Sequence, residues 1–129
     1  MEQSNYLIDT NSVIDYLGLK IPNSGMDFIS SIIDDVPKVS IITKIEVLGF
    51  NAPEKHYQLL TDFMNDSIVL ELSNNIVDAC IEIRKKHKIK LPDAIIAATA
   101  LVYGLTIISR NVLDFKSIKG IIVVNPYQI

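Results

Sequence analysis

Four acids in this chain stand at positions where they could share one piece of chemistry. Asp9 follows Tyr6-Leu7-Ile8, Glu46 follows Thr43 by three residues, Asp93 follows Leu91-Pro92, and Asp114 closes the stretch that opens with Ser109-Arg110-Asn111. Two like charges ~4 Å apart repel by about 4 kcal/mol at an effective dielectric of 20. Four carboxylates in one place would strain a domain whose total stability is roughly 5–15 kcal/mol. Such a site must hold a cation, or keep protons by raising its pKa values. An all-oxygen donor set with no His or Cys partner favours Mg²⁺ or Mn²⁺ over zinc. His56 and His87 lie outside the set. A bound ion of this kind can polarise a phosphodiester and activate water for in-line attack.

Each acid also has a plain local explanation. Asp9 could cap the helix that follows it, although Thr10, Asn11 and Ser12 can do the same. Glu46 has the spacing of a capping-box partner for Thr43. Asp93 sits in a first helical turn, where the dipole favours negative charge. Asp114 could be a turn residue. What links them is the place the elements give them.

The chain alternates short apolar strands with helices. Strands are expected at Tyr6 to Asp9, Val39 to Ile42, Ser67 to Leu72, Leu105 to Ser109 and Ile121 to Val124. Asp9 to Ser12 is rich in capping residues, and helical spacing runs from Val13 to Leu17, from Met26 to Ile33, from Thr43 to Leu48, from Glu54 to Asn65, from Asn74 to His87 and from Pro92 to Tyr103. Lys20 to Gly25 reads as a loop, and Gly104 as a helix exit. This alternation predicts right-handed crossovers and a three-layer α/β/α sandwich around a central, mainly parallel five-stranded sheet. In such sheets ligands bind beyond the carboxyl ends of the strands, where the strand order reverses. Asp9, Glu46 and Asp114 follow strands one, two and four, and Asp93 opens the helix before strand four. All four can therefore meet at one edge.

The chain has 129 residues, 49 % of them hydrophobic, and a net charge of −3. It contains no repeat or linker, so a single domain over residues 1–129 is expected. The apolar run from Ala94 to Ile108 is too short for a bilayer and is broken by Gly104. The start Met1-Glu2-Gln3-Ser4-Asn5 lacks the basic opening of a signal peptide, and Cys80 has no partner for a disulfide. A cytoplasmic protein with no membrane association is expected. The negative balance argues against nucleic-acid binding by bulk charge. Arg84, Lys85, Lys86, His87, Lys88 and Lys90 nevertheless form a basic run just before Asp93. It is either a solvated helix end or a phosphate-facing rim.

Four stretches, in order, carry a resemblance. Tyr6-Leu7-Ile8-Asp9-Thr10-Asn11, the Thr43-x-x-Glu46 unit, Leu91-Pro92-Asp93 with Ala94 to Ala100, and Ser109-Arg110-Asn111-x-x-Asp114-Phe115 together resemble the PIN-domain ribonucleases. Within them the chain looks most like VapC-type toxins of bacterial toxin–antitoxin pairs. The resemblance implies that Asp9, Glu46, Asp93 and Asp114 are catalytic, metal-holding acids of an Mg²⁺- or Mn²⁺-dependent endoribonuclease. It implies that Asn11 and Asn111 orient ligands or water, that Ser109 or Arg110 touches phosphate, and that Thr43 supports the site. It further implies an RNA substrate, a homodimer and a protein antitoxin. Some PIN nucleases carry an acid where this chain has Asn111, so the second metal of such a site would be held only with substrate.

Two other functions fit the same outline. A receiver-like phospho-acceptor domain shares the length and the acidic pocket. It would need an Asp after strand three and a Lys after strand five, where this chain has Ser73-Asn74-Asn75 and Asn125-Pro126-Tyr127. A catalytically silent PIN-like module that only binds a protein is the other; the four intact acids weigh against it.

Overall fold

The computed structural model describes residues 5–129. Its elements are β1 (Tyr6–Ile8), α1 (Thr10–Leu17), α2 (Asn23–Ile33), β2 (Lys38–Ser40), α3 (Ile41–Leu48), α4 (Glu54–Asn65), β3 (Ile68–Leu70), α5 (Asn74–Lys86), α6 (Leu91–Tyr103), β4 (Thr106–Ile108), α7 (Val112–Lys116) and β5 (Val123–Val124). A 3-10 turn, Pro126–Gln128, follows. The five strands form one sheet in the order β3-β2-β1-β4-β5, and every pairing is parallel. This order differs from the 2-1-3-4-5 of receiver domains. The order reverses between β1 and β4, whose residues pair Tyr6 with Thr106 and Ile8 with Ile108. Strands one and four thus deliver Asp9 and Ser109 side by side.

Alternation along these strands divides the core in two. Leu7 and Ile107 face one layer with Ile76, Cys80 and Ile83 of α5, Ala94, Ala97 and Ala98 of α6, and Phe115 of α7. Ile8 and Ile108 face the other layer with Val13, Ile29, Val47, Leu60 and Phe63 of α1 to α4. Small side chains let α6 approach α5 closely. Gly104 ends α6 at φ 66°, the left-handed conformation that glycine adopts without strain. No helix among the described residues is long and apolar enough to cross a membrane.

Local boundaries depart from the sequence expectation at four points. Strand two ends at Ser40, and α3 begins at Ile41, with Ser40 Oγ accepting from the Ile42 N–H at 3.2 Å. Thr43 is therefore inside the first turn, fully buried, and does not cap the helix. The Thr43–Glu46 capping box is accordingly incorrect: two more apolar residues bend into the helix than periodicity suggested. The expected Lys20–Gly25 loop is also too long, because α2 starts at Asn23. Gly25 lies within α2, and a Cβ there would sit 1.8 Å from the Pro126 carbonyl oxygen. The C-terminal turn packs that closely, which only glycine permits. Finally, Asp114 belongs to a helix, α7, and not to a turn.

Candidate active site

Asp9 is the residue at the end of β1 and the N-cap of α1, its Oδ1 accepting from the Ser12 N–H at 2.9 Å. Capping and a site role are thus not alternatives, for the same carboxylate is 6 % exposed at the point where the strand order reverses. Burial pushes its pKa up, against hydrogen bonds from the Ser109 hydroxyl and the Ser12 backbone and the nearby charge of Arg110. Ser109 is completely buried, and its Oγ also accepts from the Asn111 N–H at 2.9 Å. A hydroxyl can do both. The Ser12 hydroxyl is buried without a hydrogen bond of normal geometry, yet lies close enough to Asp9 to favour its charge.

Asp93, in the first turn of α6, ties the acids together. Its carboxyl is raised above the ordinary value by burial first, then by the charges of Asp114, Asp9 and Glu46; Lys90 opposes them. Four separate elements have thus brought three carboxylates within electrostatic reach of Asp93. Glu46 is exposed on α3, and its Oε1 accepts from Thr10 Oγ1 at 2.7 Å. Thr10 Oγ1 also lies 3.2 Å from Thr43 Oγ1, so Thr43 supports Glu46 through Thr10. Asp114 is exposed on α7, and Asn111 Nδ2 donates to its Oδ2 at 2.8 Å. Asn111 precedes α7 but gives its side chain to Asp114 and not to the helix end. Asn11 is exposed on α1, and among the described residues its side chain makes no hydrogen bond to the site.

Sequence reasoning missed three residues. Thr10 was legible only as a capping residue, whereas its hydroxyl holds Glu46. Asp15 of α1 and Tyr127 of the C-terminal turn surround Arg110: Arg110 Nη1 lies 3.5 Å from Asp15 Oδ2, and its guanidinium carbon 5.8 Å from the Tyr127 ring centre. No local pattern marks either residue, because their partner is 95 positions away from Asp15.

The basic run divides. Lys85 pairs with Glu82 on the α5 surface at 3.4 Å. Arg84, Lys88 and Lys90 instead line a cavity of about 450 Å³ with Ile89 and Asp114. Three cations therefore border the acidic group on the Asp114 side, and Arg110 borders it on the Asp9 side.

Among the described residues no group of three or more His, Cys, Asp or Glu is placed so that it could hold a metal ion. The donors gathered around Asp93 are carboxylate oxygens, and it feels the charges of the other three acids; oxygen donors of this kind are those that hard divalent ions prefer.

A family model described as PIN domain matches residues 6–120, and so stops short of the C-terminal turn. Among solved structures the chain is similar to a toxin–antitoxin complex from Klebsiella pneumoniae, with 31 % identity over 96 % of this chain and 99 % of that one and a TM-score of 0.78. It is similar to FitAcB from Neisseria gonorrhoeae, with 25 % identity over 96 % and 99 % of the two chains and a TM-score of 0.75. DNA-bound VapBC from Salmonella typhimurium shares the fold, at 22 % identity over 96 % and 99 % and a TM-score of 0.80. No curated protein matched the sequence.

Proposed function

The chain belongs to the PIN-domain family, and from that premise we propose that it is a divalent-metal-dependent endoribonuclease, the toxin of a toxin–antitoxin pair. The observation that carries this reading is Asp93. Its proton is held more tightly by burial first, and then by the charges of Asp114, Asp9 and Glu46. A protein gains nothing in stability from such a cluster; a bound cation would relieve it and would also attract a phosphate.

Asp9, Asp93 and Asp114 are the residues that would hold Mg²⁺ or Mn²⁺. When bound, that ion supplies charge to polarise the phosphodiester and lowers the pKa of water. Asn111 fixes the direction of Asp114. Thr10 engages Oε1 of Glu46, leaving the second carboxylate oxygen to accept a proton from attacking water. Ser109 holds Asp9, and Arg110 meets the phosphate at the Asp9 side. Arg84, Lys88 and Lys90 offset the charge of the RNA backbone, which a chain of net charge −3 could not do by bulk attraction.

The proposed partners are a second copy of the chain and an antitoxin. Similarity to structures named as toxin–antitoxin complexes supports the antitoxin. Leu72, Ile81 and Leu91, each exposed, line one groove and provide apolar surface for protein contacts.

The test is cleavage of total RNA by purified protein with Mg²⁺ or Mn²⁺, with EDTA as control. Asn is as good a helix cap as Asp, so Asp9→Asn should fold normally and lose cleavage. Activity that persists in EDTA would remove the metal mechanism.

A further inference from the structure

The C-terminal turn reaches the edge of the acidic site although it lies more than a hundred residues from Asp9. Several contacts seat it there. The Tyr127 N–H donates to Asn125 Oδ1 at 2.9 Å, Ser24 Oγ donates to the Ile129 carbonyl at 2.7 Å, and Gly25 admits the Pro126 carbonyl against α2. The seated turn presents the Tyr127 hydroxyl to Asp15 Oδ2. The same oxygen receives Arg110 Nη1 at 3.5 Å, and the Tyr127 ring lies under the guanidinium. The Asp15 side chain is 14 % exposed and that of Arg110 is 55 % exposed. One end of the arginine is thus held in a half-buried notch while the rest stands in solvent.

We propose that Asp15 and Tyr127 are positioning residues that hold Arg110 at the rim of the carboxylate site, where its free guanidinium edge receives a phosphate of the RNA. This rests on the ribonuclease reading above. A guanidinium carries five N–H donors; Asp15 meets it at Nη1, and the Tyr127 hydroxyl also bonds to the group. The side chain is still 55 % exposed, so the donors on its solvent side can meet a phosphate, whose planar recognition suits arginine. Arg110 also lies close enough to Asp9 to favour its charged form, which places the guanidinium beside the acids. Pre-holding the side chain reduces the freedom lost on binding. The Tyr127 hydroxyl is fit to stay a donor at every working pH, because burial, the bond to Asp15 and the Asp15 charge raise its pKa to about 12.

Three variants separate positioning from simple charge. Tyr127→Phe keeps the ring under Arg110 and removes only the hydroxyl. It should raise KM for RNA about 3–10-fold, with kcat within twofold and an unchanged far-UV spectrum. Asp15→Asn removes a negative charge, so charge alone would lower KM; positioning predicts that KM rises. In an Arg110→Ala background neither substitution should add a further effect. An unchanged KM in Tyr127→Phe, a lowered KM in Asp15→Asn, or an effect surviving without Arg110 would overturn the proposal. A second readout needs no RNA. The Arg110 Nε–H resonance should move toward the free-arginine position in Tyr127→Phe; an unmoved resonance overturns the holding role. Wild-type protein that cuts no RNA would overturn the ribonuclease reading and the phosphate contact with it, while the resonance still decides whether Asp15 and Tyr127 hold the side chain.

Discussion

Asp93→Asn should make the metal-free protein more stable, an unusual direction for a substitution at a half-buried, helix-opening position. The wild-type carboxyl is raised by burial and by three like charges. Two unit charges ~8 Å apart repel by about 2 kcal/mol at an effective dielectric of 20. At physiological salt the Debye length is about 8 Å, and exposed groups such as Glu46 and Asp114 are screened most. That reduces the repulsion from the three acids together to about 2 kcal/mol. Against it stands the favourable charge–dipole interaction of a first-turn acid, typically 0.3–1 kcal/mol. A net gain of about 1 kcal/mol for the Asn variant at pH 7 is expected, or roughly 3–5 °C in melting temperature.

The gain should depend on pH. Well above the raised folded pKa, Asp93 is charged in both folded and unfolded chains, and the full penalty is present. As pH falls through that raised value toward the ordinary aspartate value of 3.8, the folded protein takes up the proton first and the penalty disappears. The difference between wild type and Asp93→Asn should thus close by about pH 4. Divalent ions should reverse it. An ion at a hundred times its dissociation constant stabilises the native state by about 2.7 kcal/mol, and the variant has lost one donor. The assay is thermal melting of both proteins in EDTA and in Mn²⁺, at pH 7 and near pH 4. An Asn variant no more stable than wild type in EDTA at pH 7 would refute the convergence of charges. Equal Mn²⁺ shifts in the two proteins would refute the role of Asp93 in holding the ion.

Glu46→Gln should fold normally, because Ser40 and not Glu46 secures the start of α3, and Gln can still accept from Thr10. Loss of the proton acceptor should lower kcat about 10²–10⁴-fold; full activity would remove Glu46 from the site. Gly25→Ala forces a Cβ to within 1.8 Å of the Pro126 carbonyl. Overpacking of this kind costs about 1–3 kcal/mol, read as a lower melting temperature, and displacement of the C-terminal turn should raise KM as Tyr127→Phe does. A Gly25→Ala protein with wild-type stability would show that the turn is not seated on α2.

Much of the fold was legible because it depends on local physics. Short apolar runs between helices of regular period can only be buried strands, and alternation with crossover helices forces them parallel. Boundaries were harder. Val39 to Ile42 is apolar but for Ser40, and periodicity cannot tell where it passes from strand to helix; Ser40, which ends the strand and caps the helix, decides it. Five-residue α7 is too short to show a period, so Asp114 read as a turn residue.

The sequence by itself determined which chemistry the chain could offer. Acids follow strand ends and open a helix, no histidine or cysteine competes as a ligand, and the order of strands and helices sends those positions to one edge of a sheet. The tertiary structure decided how each group is held. That Thr10 grips Glu46, that Asn111 turns to Asp114, and that Asp15 and Tyr127 close on Arg110 are contacts across 36, 3, 95 and 112 positions. Three of these four link different elements, and such contacts leave no periodic trace in the sequence. They exist only because parallel strands β1 and β4 lie side by side and because Gly25 lets the end of the chain settle against α2.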